Sequence, residues 1–174
     1  MEIVPLGDSA LVVRVREQFE DAPEETLDEV LRVFQLLQRA AIPGVIDLAP
    51  AYTSVAIFFD PIIVAKVSGK SGELFDWLAE RVREIVTAGA HRGRRVRSTR
   101  TGARPVEIPV CYDSEFALDI GRVAEQAQIS ASLVVDLHSG SEYRVACLGF
   151  VSGFPFLAGL PKQLATPRRD TPRR

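Results

Sequence analysis

The sequence predicts an α+β chain in two parts, and three observations carry that expectation. Apolar side chains alternate with a period of two near the start, recur every three to four residues over 27–37 and 74–86, and follow the order strand, helix, two strands, helix. A break at residues 88–104 then holds six arginines and no acid, after which strand and helix signals resume in a different pattern.

Leu11, Val13 and Val15 alternate with Val12, Arg14 and Arg16, as one half-buried strand requires. From Thr26 the period lengthens. Leu27, Val30, Leu31, Phe34 and Leu37 form an apolar stripe, and Asp28, Glu29, Arg32 and Gln35 lie opposite. Pro23 with Glu24 and Glu25 suits the first turn of this helix, because proline lacks only a donor left unpaired there and carboxylates favour the positive helix end. Pro43-Gly44 ends it. "VIDLAPAYTSVAIFFD" then reads as two well-buried strands around a turn near Ala49-Pro50. After Asp60-Pro61, Ser71 can cap a second helix with the stripe Leu74, Trp77, Leu78, Val82, Ile85 and Val86, ending near Gly89. With one more strand, from the linker or another domain, this order makes a ferredoxin-like α/β two-layer unit. Residues 1–89 are accordingly an N-terminal α/β domain and 90–104 a basic linker.

Past the linker, "VEIPVCY" reads as a strand that Pro109 confines to an edge or a bulge. Asp119 can cap a short helix through Val123 and Ala127. Ser130 can cap another through Leu133, Val134 and Leu137, which Gly140 ends. "SEYRVACLGF" follows as a strand expected to be covered on both sides. Phe150, Phe154, Phe156, Leu157 and Leu160 are interrupted by Gly153, Pro155, Gly159 and Pro161 too often for a helix or a long strand, so a loop is expected.

Charge and composition narrow the function. Residues 1–87 carry 8 basic against 15 acidic side chains, and 105–174 carry 7 against 8. The arginine-rich break has no interleaved aromatics, which favours a solvated linker over a nucleic-acid patch. No apolar run approaches a bilayer-spanning length, and the first residues lack the form of a secretory signal, so a cytoplasmic protein without a membrane role is expected. Cys111 and Cys147 lie in apolar strand-like runs, where buried thiols are expected and a disulfide is the alternative.

Short catalytic patterns are scarce. Two histidines stand 47 residues apart, no His/Cys/carboxylate cluster has metal-ligand spacing, and glycine-rich phosphate and dinucleotide loops are missing, so no metal site is expected. A cysteine paired with His138 as nucleophile is weaker than two inert core thiols. His138 closes a short helix and Tyr143 opens a strand; on residue type alone both read as structural. The apolar loop after Gly149 lends itself equally to a recognition surface and to a lid over its own core. Arg168, Arg169, Arg173 and Arg174 sit in pairs behind Thr-Pro. They suit either an anion site or a solvated terminus.

The run from "VEIPVCYDSEF" through "DLHSGSEYRVACLGFVSGFPFLAGLPKQLATPRRDTPRR" resembles the signature region of the bacterial 5-oxoprolinase B-subunit family, also called the allophanate hydrolase subunit one or KipI-like family. "PLGDSALVV" resembles the family's opening and "PAYTSVAIFFDP" its central hairpin. The resemblance implies a second domain over 105–174 similar to a cyclophilin-like β-barrel. The family continues beyond the arginine motif, so the barrel expected here is partial, or truncated, and completed by further chain or by a partner. It also implies work with a homologous carboxyltransferase-like second subunit and a third 5-oxoprolinase subunit, cleaving 5-oxoproline to glutamate with ATP as co-substrate. His138 and Tyr143, with Phe150, Gly153, Phe154, Pro155 and Phe156, would shape a pocket or subunit interface, and Arg168 and Arg169 would meet an anionic group. No catalytic base is implied. Two other branches share the resemblance: inhibitors that bind a sporulation-type histidine kinase, and components of a urea or allophanate carboxyltransferase.

Overall fold

In the computed structural model the described residues are 1–69, 72–91 and 104–171. The chain divides into two compact units, Met1–Ala103 with Ala146–Phe154, and Arg104–Val145 with Pro155–Arg174. The expected linker falls mostly on 92–103, and the Ser71 cap and Arg173 and Arg174 fall at 71, 173 and 174; all of these lie outside the described residues.

The first unit runs β1 (Glu2–Pro5), β2 (Ala10–Arg14), α1 (Pro23–Ala40), β3 (Val45–Ala51), β4 (Ser54–Phe59), α2 (Pro61–Ser68) and α3 (Leu74–His91). Its four strands form one antiparallel sheet in the order β1-β2-β4-β3. The fourth strand of this sheet therefore comes from residues 2–5, where the sequence expectation looks to the linker or another domain. It is too short to register as a periodic pattern, and a cross-strand ion pair joins its Glu2 to Arg14 at 2.7 Å, in register.

Leu11, Val13, Val55, Ile57 and Phe59 point to one face of the sheet and are buried against Val30, Val33 and Leu37 of α1, Val64 of α2, and Leu78, Val82 and Val86 of α3. Each such side chain, fully removed from water, contributes roughly 1.5–3 kcal/mol. The stripe of α1 is turned slightly from the sequence expectation, with Val33 buried and Leu31 only half-buried, because the sheet meets the helix on that side. Thr26 is fully buried too; its hydroxyl donates to the Ala22 carbonyl at 2.6 Å.

The sequence expectation is corrected at several further points in this unit. The hairpin turn lies at Tyr52-Thr53, and Ala49 and Pro50 are inside β3, which tolerates proline because it is an edge strand. For the same reason β3 is only partly buried, with Ile46 exposed. The helix α2 adds an element where none is expected. Asp60 caps it by accepting from the Ile62 and Ile63 amides at 2.8 and 3.2 Å, with Pro61 in its first turn. α3 runs to His91, two residues past the expected end near Gly89; a Cβ at Gly89 would stand 2.6 Å from a Leu36 methyl, so the glycine permits close approach of α1 and α3.

The second unit holds α4 (Ile120–Ala127), α5 (Ala131–Ser139) and a 3-10 turn at Lys162–Leu164, whose Ala124, Val134 and Leu164 form a small core. Ser130 caps α5 as expected, accepting from the Leu133 amide at 3.2 Å, and Gly140 follows its end. Strand β5 (Arg144–Leu148) begins in the second unit and ends in the first, and β6 (Pro155–Ala158) belongs to the second. β6 is a short strand where only loop is expected, and β5 is not covered on both sides, since Val145 and Leu148 are exposed. Residues 106–112 form no strand. Val106, Ile108 and Val110 are exposed, and among the described residues no strand pairs with this segment, so its β-propensity has no ladder to join. Antiparallel sheets and helices make the chain α+β, and no closed barrel is present among the described residues. Cys111 and Cys147 are free thiols; Cys111 is exposed and outside any strand, Cys147 half-buried. No helix among the described residues is long and apolar enough to cross a membrane.

Candidate functional site

The residues singled out in the sequence fall into three groups. In the second unit, the last turn of α5 presents His138 half-buried between two tyrosines. Tyr112 Oη lies 2.6 Å from His138 Nδ1, and the two rings meet edge-on at 5.8 Å. Tyr143, at the approach to β5, lies 5.5 Å from the imidazole by ring centroids and donates its hydroxyl to the His138 carbonyl at 3.0 Å. Burial pushes the Tyr143 phenol above its ordinary value near 10; nearby Tyr112 adds to the rise and a hydrogen bond with Ser141 opposes it. The Tyr143 phenol thus stays protonated near neutral pH and acts as a donor. Gly159 packs close below: a Cβ there would stand 2.6 Å from the Glu142 carbonyl oxygen, next to Tyr143.

A second group surrounds the start of α4. Arg169 reaches Asp119 at 3.5 Å and donates from Nε to the Thr171 carbonyl at 3.4 Å. Arg122 donates to the Pro167 carbonyl at 2.7 Å. Asp119 occupies the cap position of α4 without a side-chain capping bond, its carboxylate facing the guanidinium. Arg169 thus faces a carboxylate of its own chain, and both Arg168 and Arg169 are exposed.

The third group is aromatic; Phe150, Gly153 and Phe154 belong to the first unit and Pro155 and Phe156 to the second. Phe150 and Phe154 rings stand 5.8 Å apart across a tight turn closed by the Gly149 amide donating to the Phe154 carbonyl at 3.1 Å. Phe150 and Gly153 both take positive φ, 66° and 78°, which only glycine adopts without strain. Phe150 is 89% exposed, so this loop is not a lid sealed over a core. Pro155 and Phe156 lie in β6, with Phe156 also exposed.

Sequence reasoning misses Tyr112, which reads there as the end of a strand, and the pairing of Arg122 and Asp119 with the arginine motif. It also misses Tyr52, whose amide donates to the Ala146 carbonyl at 3.0 Å and whose ring meets Phe19 edge-on at 5.2 Å. Burial, then the charge and hydrogen bond of Cys147, raise the Tyr52 phenol above its ordinary value. The interleaved aromatic and polar residues give no short-range signal for these contacts, which join positions far apart in the chain. An open depression of about 470 Å³ beside the α1–β3 turn, lined by Phe34, Leu37, Gln38, Ile42, Pro43 and Asp47, holds none of the anticipated residues.

Known proteins share this chain's sequence along nearly its whole length. It is 35% identical over 177 residues to the 5-oxoprolinase B-subunit of Bacillus subtilis, covering 99% of this chain and 68% of that protein. It is 31% identical over 170 residues to the 5-oxoprolinase B-subunit of Escherichia coli O157:H7, covering 97% and 67%. The crystal structure of a protein named TTHA0988 superposes with a TM-score of 0.63 at 31% identity over 95% of this chain. The chain spans only 28% of that structure's length and about two-thirds of the two B-subunits. A profile for the carboxyltransferase domain, subdomain C and D, matches residues 1–174. The chain therefore belongs to the carboxyltransferase subdomain C and D family, with 5-oxoprolinase B-subunits among its relatives.

Proposed function

We propose that this chain works as a non-autonomous subunit of an ATP-dependent 5-oxoprolinase, opening the lactam of 5-oxoproline to glutamate together with a homologous carboxyltransferase-like subunit and a third subunit in the cytoplasm. The supporting observation is the 35% identity that runs through 99% of the chain to a 5-oxoprolinase B-subunit. One water adds to the lactam carbonyl carbon, the ring C–N bond breaks and the nitrogen leaves as the amine, while the oxygen of a second water ends on the γ-phosphoryl group as ATP goes to ADP and phosphate. An unstrained amide resists this addition, and donors aimed at the carbonyl or carboxylate oxygens lower the barrier.

In this reading His138 and Tyr143 supply polar contacts to the ligand, Tyr143 as an acceptor, since its one hydroxyl proton is donated to the His138 carbonyl. Phe150, Gly153, Phe154, Pro155 and Phe156 shape a recognition surface, with the exposed Phe150 ring suited to contact with a partner. Arg168 supplies positive charge toward an anionic group, and Arg169 would do so by exchanging Asp119 for the ligand. ATP is a co-substrate of the assembled complex; no glycine-rich phosphate loop occurs in this sequence.

The test is glutamate release from 5-oxoproline by the purified chain, alone and mixed with its two partner subunits, with and without ATP. Release confined to the complete mixture with ATP is expected. No release in that mixture rejects the reading, and a histidine kinase whose autophosphorylation the chain blocks would then move it to the inhibitor branch.

A further inference from the structure

We propose that Tyr112 is the positioning residue of His138: its phenolic O–H donates to Nδ1 and fixes the remaining imidazole proton on Nε2, from which His138 donates to a carbonyl or carboxylate oxygen of the bound ligand. This rests on the reading of His138 as a ligand contact. Three segments converge on the ring. Tyr112 comes from the unpaired segment before α4, His138 from the last turn of α5, and Tyr143 from the approach to β5.

The division of labour between the tyrosines follows from the two hydrogen bonds. Tyr143 is spent on the backbone carbonyl of His138, so it holds the main chain and leaves the ring nitrogens alone. Tyr112 meets the ring itself, at 2.6 Å on Nδ1. A phenol carries one O–H to donate, and a neutral imidazole accepts only at its unprotonated nitrogen. The distance is compatible with either atom as donor; with Tyr112 donating, as proposed, the imidazole carries its proton on Nε2, and the edge-on contact at 5.8 Å holds the plane of the ring. Half-burial shields the bond from competing water. A purely structural role, tying residue 112 to α5, would be indifferent to the tautomer; a positioning role is not.

The 174-residue chain labelled with 15N, at about pH 8 where an ordinary histidine is neutral, gives the tautomer from long-range imidazole correlations. Only two histidines are present, and H138Q identifies the relevant signals. The expected result is a proton on Nε2 in the parent chain and a mixture of tautomers in Tyr112→Phe. A proton on Nδ1 in the parent, or a His138 signal unchanged in Tyr112→Phe, overturns the proposal; if Tyr112→Phe does not fold, the parent tautomer decides by itself. In the complete subunit mixture Tyr112→Phe should raise KM for 5-oxoproline roughly five-fold, the equivalent of one hydrogen bond, and should add nothing on top of His138→Gln. Unchanged KM and kcat in Tyr112→Phe overturn the ligand contact. If the parent mixture releases no glutamate, the functional reading fails instead, and the tautomer measurement still supports or overturns the positioning.

Discussion

Tyr143 and Tyr52 show how single side chains in this protein take their properties from positions distant in sequence. Both phenols are raised above their ordinary value, chiefly by burial. The folded-state pKa exceeds the unfolded one, so the protonated phenols contribute stability that is fully present below about pH 10 and is lost as pH rises through the raised values. Unfolding midpoints measured from neutral to alkaline pH should therefore fall more steeply in the parent chain than in Tyr143→Phe, which lacks the titrating group; parallel curves would remove Tyr143 as the cause. His138 and Tyr143 are legible as candidates because they sit in a recognisable run of residues. Tyr112 is not, because its partner lies 26 positions away and nothing local marks a phenol that will meet an imidazole.

Among the elements, two junctions carry specific predictions. Gly44 takes φ +90° between α1 and β3, and a Cβ there would stand 2.7 Å from a Val64 methyl and 3.1 Å from the Val64 amide nitrogen. Its carbonyl also accepts from the Asp60 amide at 2.8 Å. Gly44→Ala should cost about 2 kcal/mol, since an unfavourable φ alone costs about 1–3 kcal/mol and the backbone neighbour cannot move aside; chemical denaturation measures it, and a loss near zero would show that α2 shifts freely. Asp60→Ala removes the α2 cap and should cost about 1 kcal/mol in the same measurement. The Asp-Pro pair that starts α2 is visible in the sequence. The eight-residue helix itself is not, because Ile62, Ile63 and Val67 stay exposed and leave no clear apolar stripe. α1 and α5 are legible for the opposite reason: long periodic burial in one, a Ser cap and a terminal Gly in the other.

For the molecule as a whole, the two units differ in how much apolar surface they bury. The first has a continuous core from sheet to helices, the second a small cluster around Ala124, Val134 and Leu164. Leu78→Ala, in the first core and fully buried, should cost about 2–5 kcal/mol in thermal or chemical unfolding. Phe150→Ser, at a ring 89% exposed, should change stability by less than about 0.5 kcal/mol. If the aromatic loop serves recognition, the same Phe150→Ser should weaken pull-down of the partner subunits while the melting temperature holds; a large loss of stability would instead make the loop part of the core.

Residue order alone establishes the α+β class, the amphipathic helices and the family resemblance, because hydrophobic period and long residue runs are properties of neighbouring positions. Packing was needed to reveal that the fourth strand of the sheet comes from residues 2–5, that Gly89 lies inside a helix, and that Tyr112 joins His138. Each of those depends on which distant segment is packed alongside, and the free energy of pairing between remote segments leaves no mark in local composition.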